Sequence, residues 1–340
     1  MKKKKIISCI AVLLGTVLLL AFLQALLMPK YMSSSREGAL TGEYYENAGD
    51  NDVLLIGDCE VYECFTPPTL WQEYGISSCI RGSAQQLIWQ SYYLLEDALR
   101  YETPKVVVFN VLSMKYGEPQ NEAYNRMTLD GMKWSSVKAD AVRASMTEEE
   151  SFLSYVFPLL RFHSRWKEIG GEDFRYLFSR DRVSHNGYLM QTGVVPKTSD
   201  RVGTELTDYT LPQVSFDYLE RMRLLCEENG IRLVLIKAPT NNWKYYWYDQ
   251  WDAQIAAYAA KNGVDYYNLI PKDEEIGIDW QTDTYDGGIH LNVYGAEKLT
   301  SYFGKILAEQ YGVPDRRQEA ALSERWEEKA DAYEKERNGS

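Results

Sequence analysis

The chain has 340 residues, 45% of them hydrophobic and 25% charged, enough apolar content for one large folded domain and too much for general disorder. Its formal net charge is −12; residues 1–30 hold five lysines and no acids, so the rest carries 32 basic against 49 acidic groups, or −17. Such a surface repels a phosphate backbone, which excludes nucleic acid as a partner.

The N-terminus opens on Lys2, Lys3, Lys4 and Lys5, and Ile6 to Met28 then runs 23 residues without a charge. That length crosses a bilayer as a helix, and it exceeds the apolar stretch of a cleaved signal peptide. The lysines on one flank predict a single-pass anchor in the cell membrane, with residues 1–5 cytoplasmic and the main domain extracytoplasmic. Residues 29–51 are expected to be a polar linker.

From Asp52 the pattern is α/β. Val53 to Ile56 reads as a buried parallel strand ending at Gly57. Pro67 to Tyr74 predicts a helix, Ile76 to Ile80 a strand, Gln86 to Arg100 an amphipathic helix, and Val106 to Val111 a central strand. The rhythm then lapses, and about 113–211 is expected to be a helical cap insertion, looser over Gly187 to Pro196. It resumes with a helix at Ser215 to Asn229, a strand at Ile231 to Ile236, a helix at Asp252 to Lys261, a strand at Val264 to Tyr267 and a helix at Tyr294 to Tyr311. Residues 313–340 are so charged that a solvated tail is expected. The whole predicts a doubly wound, mainly parallel sheet in a three-layer sandwich, with the cap and the N-terminal membrane helix added to it.

Ligands of such sheets bind where the strands end. Gly57-Asp58-Cys59-Glu60 leaves the first strand, which places Cys59 where a nucleophile belongs. His290, in Asp283-Thr284-Tyr285-Asp286-Gly287-Gly288-Ile289-His290-Leu291-Asn292, sits before the last long helix with acids close by, the setting of a general base and its orienting group. Two other features stand near the expected site. Trp243, Tyr245, Tyr246, Trp247, Tyr248 and Trp251 follow the Ile231 to Ile236 strand and either stack on sugar rings or pack under the cap. Gln86 either lines the pocket or caps its helix.

The five cysteines (Cys9, Cys59, Cys64, Cys79, Cys226) form no CxxC and no zinc-like pairing with His163, His185 and His290, so no metal or other cofactor is expected. Whether the four outside the anchor form disulfides is open.

Strand-Gly-Asp-Cys near the start, Gly82 after the second strand, Asn110 after the third, and Asp286 to Asn292 before the terminal helix resemble the four blocks of the SGNH/GDSL hydrolase superfamily. The likeness spans roughly Asp52 to Gly312 and is greatest to a membrane-anchored Gram-positive branch, similar to the D-alanyl-transfer protein of teichoic acid synthesis and to alginate O-acetylation proteins. It implies Cys59 in the place of the nucleophilic serine and His290 as base. It further implies an oxyanion hole from the backbone N–H groups of Cys59 and Gly82 with the Asn110 side chain, and puts Gln86 on a loop near the pocket; Trp243 and Trp247 of the aromatic cluster are the other substrate-binding candidates. Two departures stand out: the nucleophile is a thiol, and position 287 is Gly where the family has its acid, leaving Asp286 or Asp283 to orient the imidazole.

The resemblance implies an acyltransferase or esterase acting on a cell-envelope polysaccharide or teichoic-acid-like polymer. The alternative is an SGNH-fold protein that has lost its chemistry and binds such polymers or a membrane-bound acyltransferase. A third reading makes Cys59 a redox partner of Cys64 or Cys79.

Overall fold

A computed structural model of the chain describes residues 2–28, 36–198, 205–241 and 247–339. Its centre is a five-stranded, all-parallel sheet of β1 (Val53–Gly57), β2 (Ser78–Gly82), β3 (Val106–Asn110), β4 (Arg232–Lys237) and β5 (Asp265–Asn268), in the order β2-β1-β3-β4-β5. The chain begins in the middle, winds outward to β2, crosses back over β1 to β3 and continues to β5. The crevice at the end of β1 therefore lies at the switch in winding direction.

Both faces of the sheet are covered, so the inner strands β1, β3 and β4 are apolar on both sides. Leu54, Ile56, Val107, Phe109, Leu233 and Leu235 face one layer, which includes the helices Ile88–Ala98, Gln213–Glu228 and Asp249–Asn262. Val53, Leu55, Val106, Val108, Val234 and Ile236 face the other, built on Pro67–Tyr74 and Val293–Glu309. This is the doubly wound α/β sandwich that the sequence predicts, with strand and helix ends displaced by only one to three residues.

The insertion contributes Glu122–Leu129, Ser136–Ser145, Phe152–Val156, Leu159–Phe162 and Gly171–Phe178. Its first two helices pack outside Ile88–Ala98, where Gln90 donates to Asn125 at 2.9 Å and Leu129, Ala141 and Val142 are buried. Its return segment crosses to the opposite layer. There Leu189 N–H donates to the Tyr62 carbonyl at 2.7 Å, and Val293 N–H donates to the Gln191 carbonyl at 2.7 Å.

Two expectations are corrected. The supposed linker holds the helix Leu40–Asn47, whose Tyr44 is 1% exposed and donates to Glu102 at 2.7 Å. The Arg81 guanidinium lies 3.8 Å from the Tyr44 ring centroid and pairs with buried Asp97. The charged tail, too, folds back as the helix Ala320–Arg337. Its buried Leu322, Trp326, Ala330 and Tyr333 are spaced by four, four and three residues, a single narrow stripe that the surrounding charges conceal. Trp326 stacks on Trp71 with ring centroids 5.3 Å apart, and Arg337 pairs with Glu297.

The helix Lys2–Leu27 is long and apolar enough to span a membrane; it is exposed along most of its length and buried only at Leu26 and Leu27. Cys9, Cys59, Cys64, Cys79 and Cys226 are all free thiols.

Docking of the tail by Trp326 predicts that Trp326→Ala lowers the unfolding free energy by about 3 kcal/mol, the usual cost of truncating a buried aromatic. Chemical denaturation measures this; an unchanged midpoint would mean that the helix is solvated.

Candidate functional site

At the end of β1, Gly57 passes the chain to Asp58, which caps a single helical turn, Cys59–Tyr62, by accepting the Glu60 N–H at 3.1 Å. Gly57 is required there, since a side chain would come 2.6 Å from Val61 Cγ2 and 3.0 Å from Asn110 Cβ. Cys59 begins the turn, partly buried, and faces the loop before the helix Val293–Glu309.

That loop is held shut at both ends. Thr284 and Leu291 form an isolated antiparallel bridge, and Asn292 caps the helix by accepting from Tyr294 N–H at 3.1 Å and Gly295 N–H at 3.3 Å. Between them Gly287 and Gly288 adopt φ of +81° and +94°, a conformation that residues with a Cβ rarely adopt. The reversal turns Asp286 back beneath the imidazole four residues later. Asp286 Oδ1 accepts the N–H groups of Ile289 at 3.1 Å and His290 at 2.9 Å, while Oδ2 lies 2.7 Å from His290 Nδ1. Nε2 then lies 3.1 Å from Cys59 Sγ, a contact between residues 231 apart in sequence.

Of the two acids left open by the sequence, Asp286 meets the histidine and Asp283 does not. Asp283 is buried and accepts Lys298 Nζ at 2.6 Å and Asp279 N–H at 2.8 Å, tying the loop to the following helix.

Glu63, one helical turn beyond Cys59, is a second carboxylate at the imidazole. Its Oε2 is 3.5 Å from His290 Nδ1 and accepts the Tyr285 hydroxyl at 2.8 Å; the Tyr285 ring lies nearly parallel to the imidazole. Burial pushes Glu63 up to about 7, against the opposing pull of His290 and the Tyr285 hydrogen bond.

Beneath the Cys59 turn lies a fully internal polar cluster. Lys237, at the end of β4, donates to both oxygens of Glu60 at 2.8 and 2.7 Å and to the Ala238 carbonyl at 2.9 Å. The Asn110 amide donates to Glu60 at 3.0 Å and to Asp58 at 3.3 Å, while its oxygen accepts Ala238 N–H at 3.1 Å. Asp58, Glu60, Asn110 and Lys237 are each no more than 4% exposed. Burial and the adjacent Glu60 both raise Asp58.

These contacts correct the expected role of Asn110. Both amide hydrogens are committed to carboxylates, so its side chain braces the turn and is not an oxyanion donor in this arrangement. Gly82 does lie beside the site, in register with Gly57, and a Cβ there would meet the Gly57 carbonyl oxygen at 3.0 Å and the Tyr62 ring at 3.1 Å.

The substrate-binding expectations fare differently. Gln86 is buried, accepts from Ser83 and donates to the Arg81 carbonyl and Ser91, so it organises its own loop. Trp247 is 1% exposed, donates to Asp252 and packs on Trp251; it belongs to the core. Trp243, with Tyr245 and Tyr246, lies outside the described residues.

Sequence reasoning passed over Glu60, Glu63, Tyr285 and Lys237. Two signals were available: a lysine closing the apolar run Leu233 to Ile236, and a glutamate four residues after Cys59, on the same side of a helical turn.

The electrostatics of the central pair follow from the same contacts. Burial pushes the Cys59 thiol up to about 11 despite the opposing influence of His290. Burial alone would lower His290, but Cys59, Asp286 and Glu63 outweigh it and leave the imidazole well above its ordinary value. For Asp286, burial is outweighed by His290 and the two backbone N–H groups, and its carboxyl stays below the usual range.

No family model matches the chain, and no curated protein matches it. Among solved structures it is similar to a chain from Bacteroides fragilis described as a "putative acylhydrolase", at 12% identity and a TM-score of 0.38, covering 83% of this chain and 98% of that one. A likeness this distant says nothing about chemistry, which must be read from the side chains.

Two stability tests follow. Lys237→Met strands the Glu60 charge and should cost about 3 kcal/mol, much of it recovered on adding Glu60→Leu; additive losses in denaturant melts would show that the two do not form one pair. Glu63 is raised in the fold, so its ionisation withdraws stability as pH rises from about 4.5, its unfolded value, through about 7. Glu63→Gln should therefore stabilise the protein at pH 8 by on the order of 2 kcal/mol and leave it unchanged at pH 4; equal effects at both pH values contradict this.

Proposed function

We propose that the chain is a thiol-dependent acyl-transfer enzyme, an acyltransferase or esterase, with Cys59 as nucleophile, His290 as base and Asp286 as the group that orients the imidazole. The supporting observation is the continuous line from Asp286 Oδ2 through the imidazole to Sγ, with spacings of 2.7 and 3.1 Å, at the strand ends of a doubly wound sheet. A thiol, a base and an acid at these distances are the parts that nucleophilic catalysis at a carbonyl requires.

In this reaction Sγ attacks an ester carbonyl and its proton passes to Nε2. Asp286 and Glu63 stabilise the imidazolium. The carbonyl electrons collect on oxygen, where the backbone N–H groups of Cys59 and Gly82 are the proposed donors. Collapse breaks the ester C–O bond, the alcohol leaves with the proton from Nε2, and a thioester remains on Cys59. Attack by an acceptor hydroxyl, again with His290 as base, restores the thiol; attack by water gives hydrolysis. Transfer suits a thioester, which resists water better than it resists nucleophiles held against it.

The lysine cluster before the apolar helix supports an extracytoplasmic location for this chemistry, and a hydroxyl-bearing envelope polymer is the proposed acceptor class. The elevated thiol favours a second reading, a binding protein that keeps the geometry without turnover, acting on the same polymers or on a membrane-bound acyltransferase.

Turnover of p-nitrophenyl acetate by full-length protein in detergent separates the two. Cys59→Ala and His290→Ala should each reduce it by about 10³-fold. The dead state at low pH is the doubly protonated pair, thiol plus imidazolium. Asp286 and Glu63 hold the imidazole proton of that state, and activity should rise with pH as the pair loses its first proton. Turnover in the wild type that survives Cys59→Ala rejects the mechanism, and no turnover in folded wild type favours the binding protein.

A further inference from the structure

The insertion exposes large apolar side chains that neither the sheet nor the site uses: Leu153 at 56%, Phe157 at 53%, Leu160 at 57%, Trp166 at 65%, Phe174 at 47% and Phe178 at 87%. They are gathered within 26 residues, on Phe152–Val156, Leu159–Phe162, Gly171–Phe178 and the segments between. A soluble surface scatters such groups singly; a cluster of this size marks a contact face.

Its location says with what. The last turn of the apolar N-terminal helix is packed against these elements, with Leu26 and Leu27 each 5% exposed. Arg165 clamps the end of that helix, its Nη1 donating to the Leu27 carbonyl at 2.9 Å and also to Met28, while Nη2 pairs with Asp173 at 3.3 Å. Ile6 to Ala25 is left outside the domain, 20 residues, which at 1.5 Å per residue cross about 30 Å, the thickness of a hydrocarbon core. Among the described residues, the end of the span packs directly on the insertion. Once the helix is in the bilayer, the elements that grip its end sit at the headgroup level.

Composition fits that level. Residues 151–182 carry six arginines and lysines against four acids, and Arg161 and Arg182 pair with Glu122 and Glu46 outside that stretch, so these elements are close to neutral within a chain that is −17 beyond residue 30. Trp and Phe beside Arg and Lys are the makings of an interfacial contact. An anionic bilayer surface would repel this face less than the rest of the domain.

We propose that the face carrying Leu160, Trp166, Phe174 and Phe178 rests in the membrane interface beside the span, as a second attachment that fixes the orientation of the domain on the bilayer. It rests on the N-terminal helix being a membrane span and is independent of whether Cys59 turns over an ester.

Full-length protein is reconstituted in vesicles of phosphatidylcholine and phosphatidylglycerol, with or without bromine atoms on the upper acyl chain. The fluorescence of Trp166 is taken as the difference between wild type and Trp166→Phe. The expected result is a blue-shifted difference spectrum quenched several-fold by the brominated lipid. Phe174→Asp with Phe178→Asp, both at exposed positions, should abolish that quenching while the protein still resists carbonate extraction, because the helix alone holds it. An unquenched, water-like Trp166 overturns the proposal, as does quenching that survives the double substitution or wild type released by carbonate. Shielding of Trp166 only when two copies share one nanodisc overturns it in favour of a dimer interface.

Discussion

His290 reaches Cys59 because Asp286 commits both of its oxygens at once. One gathers the backbone N–H groups of Ile289 and His290, and the other holds the imidazole nitrogen that faces away from sulfur. The carboxylate thus shapes the loop that carries His290 and sets the tilt of the ring on that loop. Two left-handed glycines allow the chain to double back so closely that an acid four residues before the histidine reaches its ring. Asp283, deeper in the loop, holds the opposite end through Lys298.

The Cys59 turn is fixed from below as firmly as His290 is fixed from the side. Lys237 neutralises Glu60 inside the protein, and Asn110 bridges Glu60 and Asp58 to the chain leaving β4. Three strand ends, β1, β3 and β4, are joined by this one cluster. Because the charges are desolvated, none can be removed singly without stranding another. The same enclosure raises the thiol, against the opposing influence of His290. Glu63 adds negative potential at the imidazole, pulling the proton toward nitrogen and away from sulfur.

The inner strands were legible in the sequence because parallel strands buried on both faces are short uninterrupted apolar runs, and β1, β3 and β4 are each bounded by a turn or a helix. Cys59 and His290 were legible because both lie where such strands and the last helix open onto one edge. The tail's helical propensity was readable but its docking was not, since one apolar residue per turn among so many charges gives no amphipathic signal of ordinary width. Nor was the role of Asn110: its position at a strand end is readable, but its partners come from Glu60 and Lys237, and a buried ion pair leaves no period in a sequence. Trp247 misled for a related reason, an aromatic cluster after a strand being as suited to a core as to a sugar.

The account stands on Cys59 Sγ carrying the acyl group. Full-length protein mixed with an activated acetyl ester, quenched in acid and digested, should yield the Cys59 peptide heavier by one acetyl group, with the adduct removed by neutral hydroxylamine as a thioester is. The His290→Ala protein should yield little of it. An acetyl group found elsewhere, or on Cys59 to the same extent without His290, would contradict the catalytic pairing of the two residues.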